Sequence, residues 1–350
     1  MPPSAFRIEE ITAAMRERLL NGLYPRGSRL PVRKDLQAEY RTSPDVMQAV
    51  FNTLREDGQL VARGRLGSYV VDHPPCLDRF AWIYPLDWAH YGALAMHRDL
   101  KTFCGNINES NECPHYMWYY HADDNDRLKE DIARRRVAAL ILPVGGFSDW
   151  TRHLKAWPDI PTVRFAYSED IEPPAKATVP TLVFPLGQFL ARALNILREQ
   201  GARKIAIWTL GPLGPAYRRA WEAQLAARNM ESHPLWEIVS EVHTTAHQTS
   251  YLLRLLQQTP VGLPEGIVIY DDNLAGAVHG GIESLELAAP DRLRIVCHSH
   301  GTSIPWDRHT PAASLGFSIR DIVAACTDLI RRQQADRGST PLVTLPLREF

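Results

Sequence analysis

The sequence predicts an α/β protein in two parts: an N-terminal winged helix-turn-helix domain, then a long body of two doubly wound, Rossmann-like lobes. Three observations predict it. Apolar residues recur at helical spacing from Ile8 to Leu54 and then give way to a short alternating run around a glycine turn. The pair Pro74-Pro75 interrupts all periodicity. Beyond it, short apolar runs alternate with helical patterns as far as Cys297, the signature of parallel sheets wound by helices. The expected boundaries are 1–73 for the head, 74–78 for a short, semi-rigid spacer and 79–350 for the body.

Composition sets the limits. The chain has 350 residues, with 39 Lys plus Arg and 40 Asp plus Glu, for a net charge of −1. A hydrophobic fraction of 45% and a charged fraction of 23% suit a globular chain with a large core. Near-neutrality excludes a protein that coats nucleic acid indiscriminately. The average hides a split, however. Residues 1–75 hold 11 basic and nine acidic side chains, a net +2, which leaves −3 for the remainder. No signal peptide is visible at MPPSAFRIEE. The longest apolar stretch, Val137 to Val144, falls far short of the roughly 20 residues of a membrane span. Five cysteines with no CxxC pair fit free thiols in a reducing compartment, so a cytoplasmic protein without membrane attachment is expected.

In the head, Ile8, Ile11, Met15 and Leu19 mark a first helix that Gly22 ends. A turn-rich connector, Tyr24 to Pro31, leads to a second helix over Arg33 to Tyr40 with Leu36 inward. Ser43-Pro44-Asp45 opens a third: serine suits the cap, proline the first helical position, and aspartate the positive end of the macrodipole. Met47, Val50, Phe51 and Leu54 form its apolar stripe, and Asp57-Gly58 stops it. Residues 59–71, QLVARGRLGSYVV, read as a hairpin with Arg63 and Arg65 at its tip. Three helices and a basic-tipped hairpin make the winged form of a helix-turn-helix. The third helix would enter the major groove, and the wing would reach phosphates or the minor groove. A winged helix used only for protein contacts is the competing reading.

Gly22, Pro25, Gly27, Leu30-Pro31, Leu36, Ser43, Leu54, Gly58 and Gly67-Ser68-Tyr69-Val70 together resemble the GntR family of bacterial transcription regulators. The resemblance implies DNA contacts at Lys34, Ser43, Asp45, Gln48, Arg65 and Gly67, to which the basic wing adds Arg63. Asp45 has two readings, a cytosine reader or a helix-capping residue. That family usually has an acidic residue at 33, a basic one at 44 and often Arg at 48. This chain has Arg33, Pro44 and Gln48, which implies an operator unlike the family's usual one.

In the body, strands are expected at 80–84, 116–120, 138–143, 162–165, 204–208, 237–242, 266–270 and 293–297. Helices are expected at 91–103, 125–136, 189–200, 217–228, 248–258 and 274–287. Their order resembles the effector domain of the LacI family, which has the periplasmic sugar-binding fold. The stretches Arg134 to Pro143, Glu199 to Ala206, Tyr270-Asp271-Asp272-Asn273-Leu274-Ala275 and Pro341 to Glu349 carry the resemblance. Three departures stand out. His298-Ser299-His300 replaces an expected Gly-x-Asp, Val183 replaces an Asp, and Tyr217, next to Arg218, replaces an Arg.

Ligands of open α/β sheets bind at the carboxyl ends of strands. That rule selects Asp87, Trp88, Phe147, Phe165, Asp272 and His298 as candidate effector contacts, with Gly145, Gly146, Ser148, Tyr167, Trp208 and His300 near them; the LacI resemblance implies Tyr217 and Arg218 as well, at the place of that family's Arg. Aromatic faces with a few polar groups suit a sugar or similar polyol. Asp272 has a second reading as a helix cap, and Arg218 has one as a solvated helix position. His298 and His300, one residue apart on an expected strand, would point to opposite faces, so no metal site and no cofactor is expected.

The function these readings imply is a ligand-responsive transcription regulator, expected to be a repressor. It would act as a homodimer on double-stranded operator DNA, with a sugar or sugar derivative held between the lobes of the body. The alternative is a GntR-type head on a pyridoxal-phosphate enzyme, for which Lys155, Lys176 and Lys204 are the central lysines but lie in no convincing motif. A third reading, an exported solute-binding protein, conflicts with the winged head.

Overall fold

The computed structural model describes residues 5–84, 94–110, 112–143, 159–167, 179–285, 293–301, 312–336, 338 and 341–350. The chain divides into two compact units, residues 1–87 with 104–163 and residues 88–103 with 164–350.

The first unit begins with the head. Helices α1 (Ala5–Leu20), α2 (Arg33–Glu39) and α3 (Pro44–Glu56) precede strands β1 (Leu60–Ala62) and β2 (Ser68–Val70). Ser43 caps α3 by accepting from the Val46 amide at 3.3 Å, and Pro44 takes the first turn, where its missing N–H is harmless. The stripe Met47, Val50, Phe51 and Leu54 packs with Ile11, Met15, Leu19 and Leu36 into one core. β1 and β2 pair antiparallel with Val61 opposite Tyr69. Leu30 N donates to Ser68 O and Val70 N to Ser28 O, both at 2.9 Å, so the connector becomes a third edge of the wing.

The expected bare spacer is folded. Pro75–Asp78 forms a one-turn helix, α4, and Cys76 is buried in the head's core. The spacer's prolines act as a cap and first turn rather than as an extended rod. The body strands of this unit are β3 (Arg79–Tyr84), β4 (His115–Tyr120) and β5 (Ala139–Leu142), all parallel. Helix α6 (His121–Ala133) follows β4, and Ala81, Ile83, Tyr119, Leu128, Ile132, Leu140 and Leu142 share a core.

Helix α5 (Ala95–Glu109) begins in the second unit. Strands β6 (Thr162–Tyr167) and β7 (Thr181–Phe184) pair parallel. Then come α7 (Leu186–Glu199), β8 (Ile205–Thr209), α8 (Pro215–Ala226), β9 (Glu237–Val239), α9 (Ala246–Gln257), β10 (Gly266–Ile269), α10 (Ala275–Glu283), β11 (Arg294–Ser299), β12 (Ala312–Gly316), α11 (Ile319–Ala335), β13 (Leu342–Thr344) and β14 (Arg348–Glu349). Two six-stranded sheets result, ordered β13-β7-β6-β5-β3-β4 and β14-β12-β11-β10-β8-β9. The pairings are parallel except for β12 with β14. Fully buried runs such as Ile205 to Trp208 and Ile267 to Ile269 suit such strands, which are covered on both faces.

The α/β body and the winged head match the expected fold class. Beside α4 and the tail strands β13 and β14, the elements β7, β12 and α11 lie outside the expected list. β12 reads AASLG, a run poor in strand formers. Its place depends on close approach to β11, because a Cβ on Gly316 would sit 1.8 Å from the Ser299 carbonyl oxygen. Among the described residues, no helix is long and apolar enough to cross a membrane.

Candidate functional sites

Lys34, Ser43, Asp45, Arg63 and Arg65 are exposed, and Gln48 and Gly67 are half-buried. Asp45 sits in the first turn of α3, while the capping bond belongs to Ser43. Gln48 is held on both sides. It accepts from Arg33, whose guanidinium lies 5.1 Å from the centre of the Phe51 ring, and it donates to Asn52 Oδ1 at 2.7 Å. Arg55 also donates to Asn52. Two of the three departures from the family pattern, Arg33 on α2 and Gln48 on α3, thus form one side-chain network between the two helices. The sequence reading named Arg33 only as a departure. The spacing of 48, 52 and 55 along one helix face was the signal that Asn52 and Arg55 belong with it.

In the wing, the Arg63 guanidinium stands 4.5 Å from the centre of the Tyr69 ring. Gly67 has φ of +103° beside the Arg29 side chain, a backbone shape open to glycine. The wing tip therefore carries Arg63 and Arg65 on a fixed turn.

A polar joint ties the head to the loop before β5. The Asp57 carboxylate is fully buried and pairs with Arg16; Arg134 Nε lies at 3.5 Å and Arg136 Nε at 4.0 Å. Gln59 Nε2 donates to the Arg135 carbonyl at 2.9 Å, and Glu17 pairs with Arg135 at 3.7 Å. The family-like Arg134-Arg135-Arg136 run is therefore where this lobe grips the head.

In the second unit, the carboxyl ends of β10 and β11 bring several candidates together. Asp271, not Asp272, caps the turn after β10. Its Oδ1 accepts from the Asn273 amide at 3.0 Å and from the Asn273 side chain at 2.6 Å. Asn273 Oδ1 in turn accepts from Ala95 N at 2.6 Å, at the start of α5. Asp272 is left facing inward, its side chain 6% exposed and its Oδ2 without a hydrogen bond. Burial first, then the neighbouring Asp271 and Asp99, hold its carboxyl well above the usual range. Burial likewise raises the Asp271 carboxyl.

His298 and His300 do not point to opposite faces. β11 ends at Ser299, and the His300 ring lies 4.7 Å from that of His298, edge to face. The two residues are two positions apart, and a strand's period of two puts such positions on one face, which corrects the expectation of opposite faces. His300 Nδ1 lies 3.1 Å from the Phe317 carbonyl, so Nδ1 carries the proton that this acceptor requires. Its Nε2 faces Asp272 Oδ2 at 4.0 Å. His298 packs against Phe189 and Phe317, and its Nε2 is buried without a partner. Burial pushes both imidazoles below the ordinary range, further for His298, so both rings are neutral.

Three expected contacts find other work. Arg218 is paired with Glu237, the first residue of β9. Phe165 is buried, its ring 5.1 Å from that of Phe184. Trp208 is fully buried and donates its indole N–H to Ser240 Oγ at 2.7 Å. Each is consumed by tertiary partners that the local sequence does not name. Tyr217 is half-buried, edge-on to Tyr270 at 6.2 Å. Asp87, Trp88, Phe147 and the neighbouring Gly145, Gly146 and Ser148 lie outside the described residues. So do Lys155 and Lys176; Lys204 is exposed.

Residues 7–70 match the family described as bacterial regulatory proteins, gntR family, and residues 194–348 match the periplasmic binding protein-like domain. No curated protein sequence matches the chain. Among solved structures, a LacI putative transcriptional regulator from Bacillus cereus subsp. cytotoxis NVH 391-98 is similar with a TM-score of 0.59 at 11% identity, covering 78% of this chain and 96% of that one. A transcriptional regulator CelR in complex with cellobiose gives 0.58 at 16% identity, over 92% and 98%. A LacI family regulator from Lactobacillus casei with bound sucrose gives 0.55 at 16%, over 77% and 98%. At such identities the likeness is one of fold. The head is a GntR-type winged helix, and the body has the architecture of LacI-family regulators.

Proposed function

We propose that this chain, a GntR-type winged helix joined to a periplasmic-binding-protein-like body, is a ligand-responsive bacterial transcription regulator. The observation that carries the proposal is the exposed Ser43-capped helix beside an Arg63/Arg65 wing, on a head pinned to the body by Asp57 and Gln59. Operator contacts are assigned to Lys34, Ser43, Asp45, Gln48, Arg63, Arg65 and Gly67, with Arg33 fixing Gln48. The chain works as a cytoplasmic homodimer, because paired half-sites supply the affinity that a net +2 head lacks. The domain boundaries are assigned at residues 73 and 79. The effector contacts assigned to the described residues are Asp272 and His298, at strand ends, and Tyr217, in the first turn of α8.

Solved relatives of this architecture are titled as complexes with cellobiose and with sucrose, which supports a small polar effector. The effector's differential affinity for two body conformations would move the heads through the Asp57 joint. The two family matches cover head and body as regulator and binding domain, which leaves the pyridoxal-phosphate reading without support. Selection of binding sites from random duplex DNA, followed by mobility shifts with and without candidate effectors, tests the proposal. Sequence-selective binding that one effector shifts is expected. Absence of selective binding under every effector overturns it.

A further inference from the structure

The effector reading uses Asp272 and His298 singly and leaves their convergence with His300 unexplained. At the ends of β10 and β11, Asp272, His298 and His300 each offer one ligand atom, and these atoms lie within 4.8 Å of one another. Asp272 Oδ2 and His298 Nε2 are buried and have no hydrogen-bond partner. The Asp272 side chain is 6% exposed, and His298 and His300 are each 7% exposed. Unpartnered polar atoms at this depth carry a desolvation cost that no hydrogen bond from the described residues offsets.

The surroundings are arranged as metal ligands require. His300 gives its Nδ1 proton to the Phe317 carbonyl, which fixes the tautomer and leaves the Nε2 lone pair facing Asp272. A backbone acceptor behind the second nitrogen is the usual orienting contact of a ligating histidine. The Phe189 and Phe317 rings pack against the His298 ring. A second carboxylate, Asp99 on α5, acts electrostatically on both Asp272 and His300, and its Oδ2 is itself buried without a partner. Two imidazoles and the Asp272 carboxyl thus converge at the strand ends, with Asp99 and Arg98 of α5 both acting electrostatically on Asp272.

The other His/Asp/Cys grouping, His73, Asp78 and Cys113, differs on this point. There Arg26 already pairs with Asp78 at 2.8 Å and would repel a cation.

We propose that Asp272, His298 and His300 form a binding site for a divalent transition-metal cation. Two nitrogen ligands and one oxygen ligand select ions such as Zn²⁺, Co²⁺ or Ni²⁺ over Mg²⁺ and Ca²⁺. Tetrahedral coordination needs ligand atoms about 3.4 Å apart, so the cluster contracts by up to about 1.4 Å around the ion. Three protein ligands leave one position for water or an effector oxygen. The site itself stands on these side chains. Its role as an effector site rests on the regulator reading above.

The test uses the full-length, tag-free protein, stripped with a chelator and dialysed, with CoCl₂ as the probe. Uptake of about one Co²⁺ per chain is expected, with the visible absorption of low-coordinate cobalt, together with a rise in melting temperature. Asp272→Asn and His298→Gln should each weaken cobalt binding at least about tenfold, while His243→Ala, an exposed histidine, should not. If a variant unfolds, the wild-type stoichiometry and spectrum still decide the matter. No cobalt uptake, or uptake unchanged by both substitutions, overturns the site. Selected operator DNA is titrated in parallel. Selective DNA binding without cobalt uptake overturns the metal site and leaves the regulator reading standing. Cobalt uptake without selective DNA binding supports the site and overturns the regulator.

Discussion

Replacing Asp57 with alanine removes the centre of the joint between the head and the loop before β5. The carboxylate is fully buried at the end of α3, and its closest partner, Arg16, has a side chain only 10% exposed. Removing one partner of a buried ion pair costs about 3–5 kcal/mol, because the other charge stays desolvated and unpaired. Arg134 and Arg136 are not stranded by the change: Glu130 remains at 3.3 Å and 2.9 Å, and Asp131 lies 2.9 Å from Arg136. Arg16 loses the only salt-bridge partner it has among the described residues. The expected loss is therefore near the lower end, about 3 kcal/mol, or roughly a hundredfold in the unfolding equilibrium of the head. Urea denaturation followed by far-ultraviolet circular dichroism measures it, because the head contains no tryptophan before Trp82. Asp57→Asn, which keeps the shape, should lose most of the same stability. In a double-mutant cycle with Arg16→Met, the two losses should couple by about 2 kcal/mol. A loss under about 1 kcal/mol, or strict additivity with Arg16→Met, would refute a joint built on buried charge.

Other outcomes follow from single side chains. Burial, with a smaller push from Lys101, holds His97 at about 4 against an ordinary 6.5. In that window the unfolded chain takes up a proton that the folded chain refuses, so stability falls as pH drops from 6.5 to 4. His97→Leu should flatten that part of a stability–pH curve, and an unchanged curve would contradict the burial argument. Removing Arg63 or Arg65 should weaken operator binding uniformly across sequences and lower the salt slope by about 1 each, as a titration of affinity against salt would show. Gly67→Ala forces a side chain onto φ of +103° against Arg29, at a cost of about 1–3 kcal/mol, and should weaken DNA binding without changing sequence preference. Cys76, Cys104, Cys297 and Cys326 are buried, so a thiol reagent should label Cys113 fast and the others only on unfolding.

How far the sequence could be read depended on whether a feature was local. The Ser43 cap, the apolar stripe of α3 and the wing around Gly67 are fixed by neighbours in the chain, and each appears where spacing put it. The fate of Arg218, Phe165 and Trp208 was not legible. Each is claimed by a partner 19 or more residues away: Glu237, Phe184 and Ser240 respectively. Asp271 and Asp272 are adjacent and identical in type. Only the turn geometry gives one the cap and turns the other inward.

By itself the sequence determined the class of the molecule: a winged head, a parallel α/β body, and a charge split too small for bulk attraction to DNA. Periodicity, caps and turn residues are local physics and need no partner to be read. Tertiary structure alone decided which charges are consumed and which are left exposed or orphaned. It paired Arg33 of α2 with Gln48 of α3, buried Asp57 among three arginines, and carried β11 on to Ser299, past the expected end at Cys297. It also set Asp272 beside His298 and His300, because the parallel pairing of β10 with β11 brings together strand ends that lie far apart in the sequence, while a strand's period of two already puts the histidines on one face.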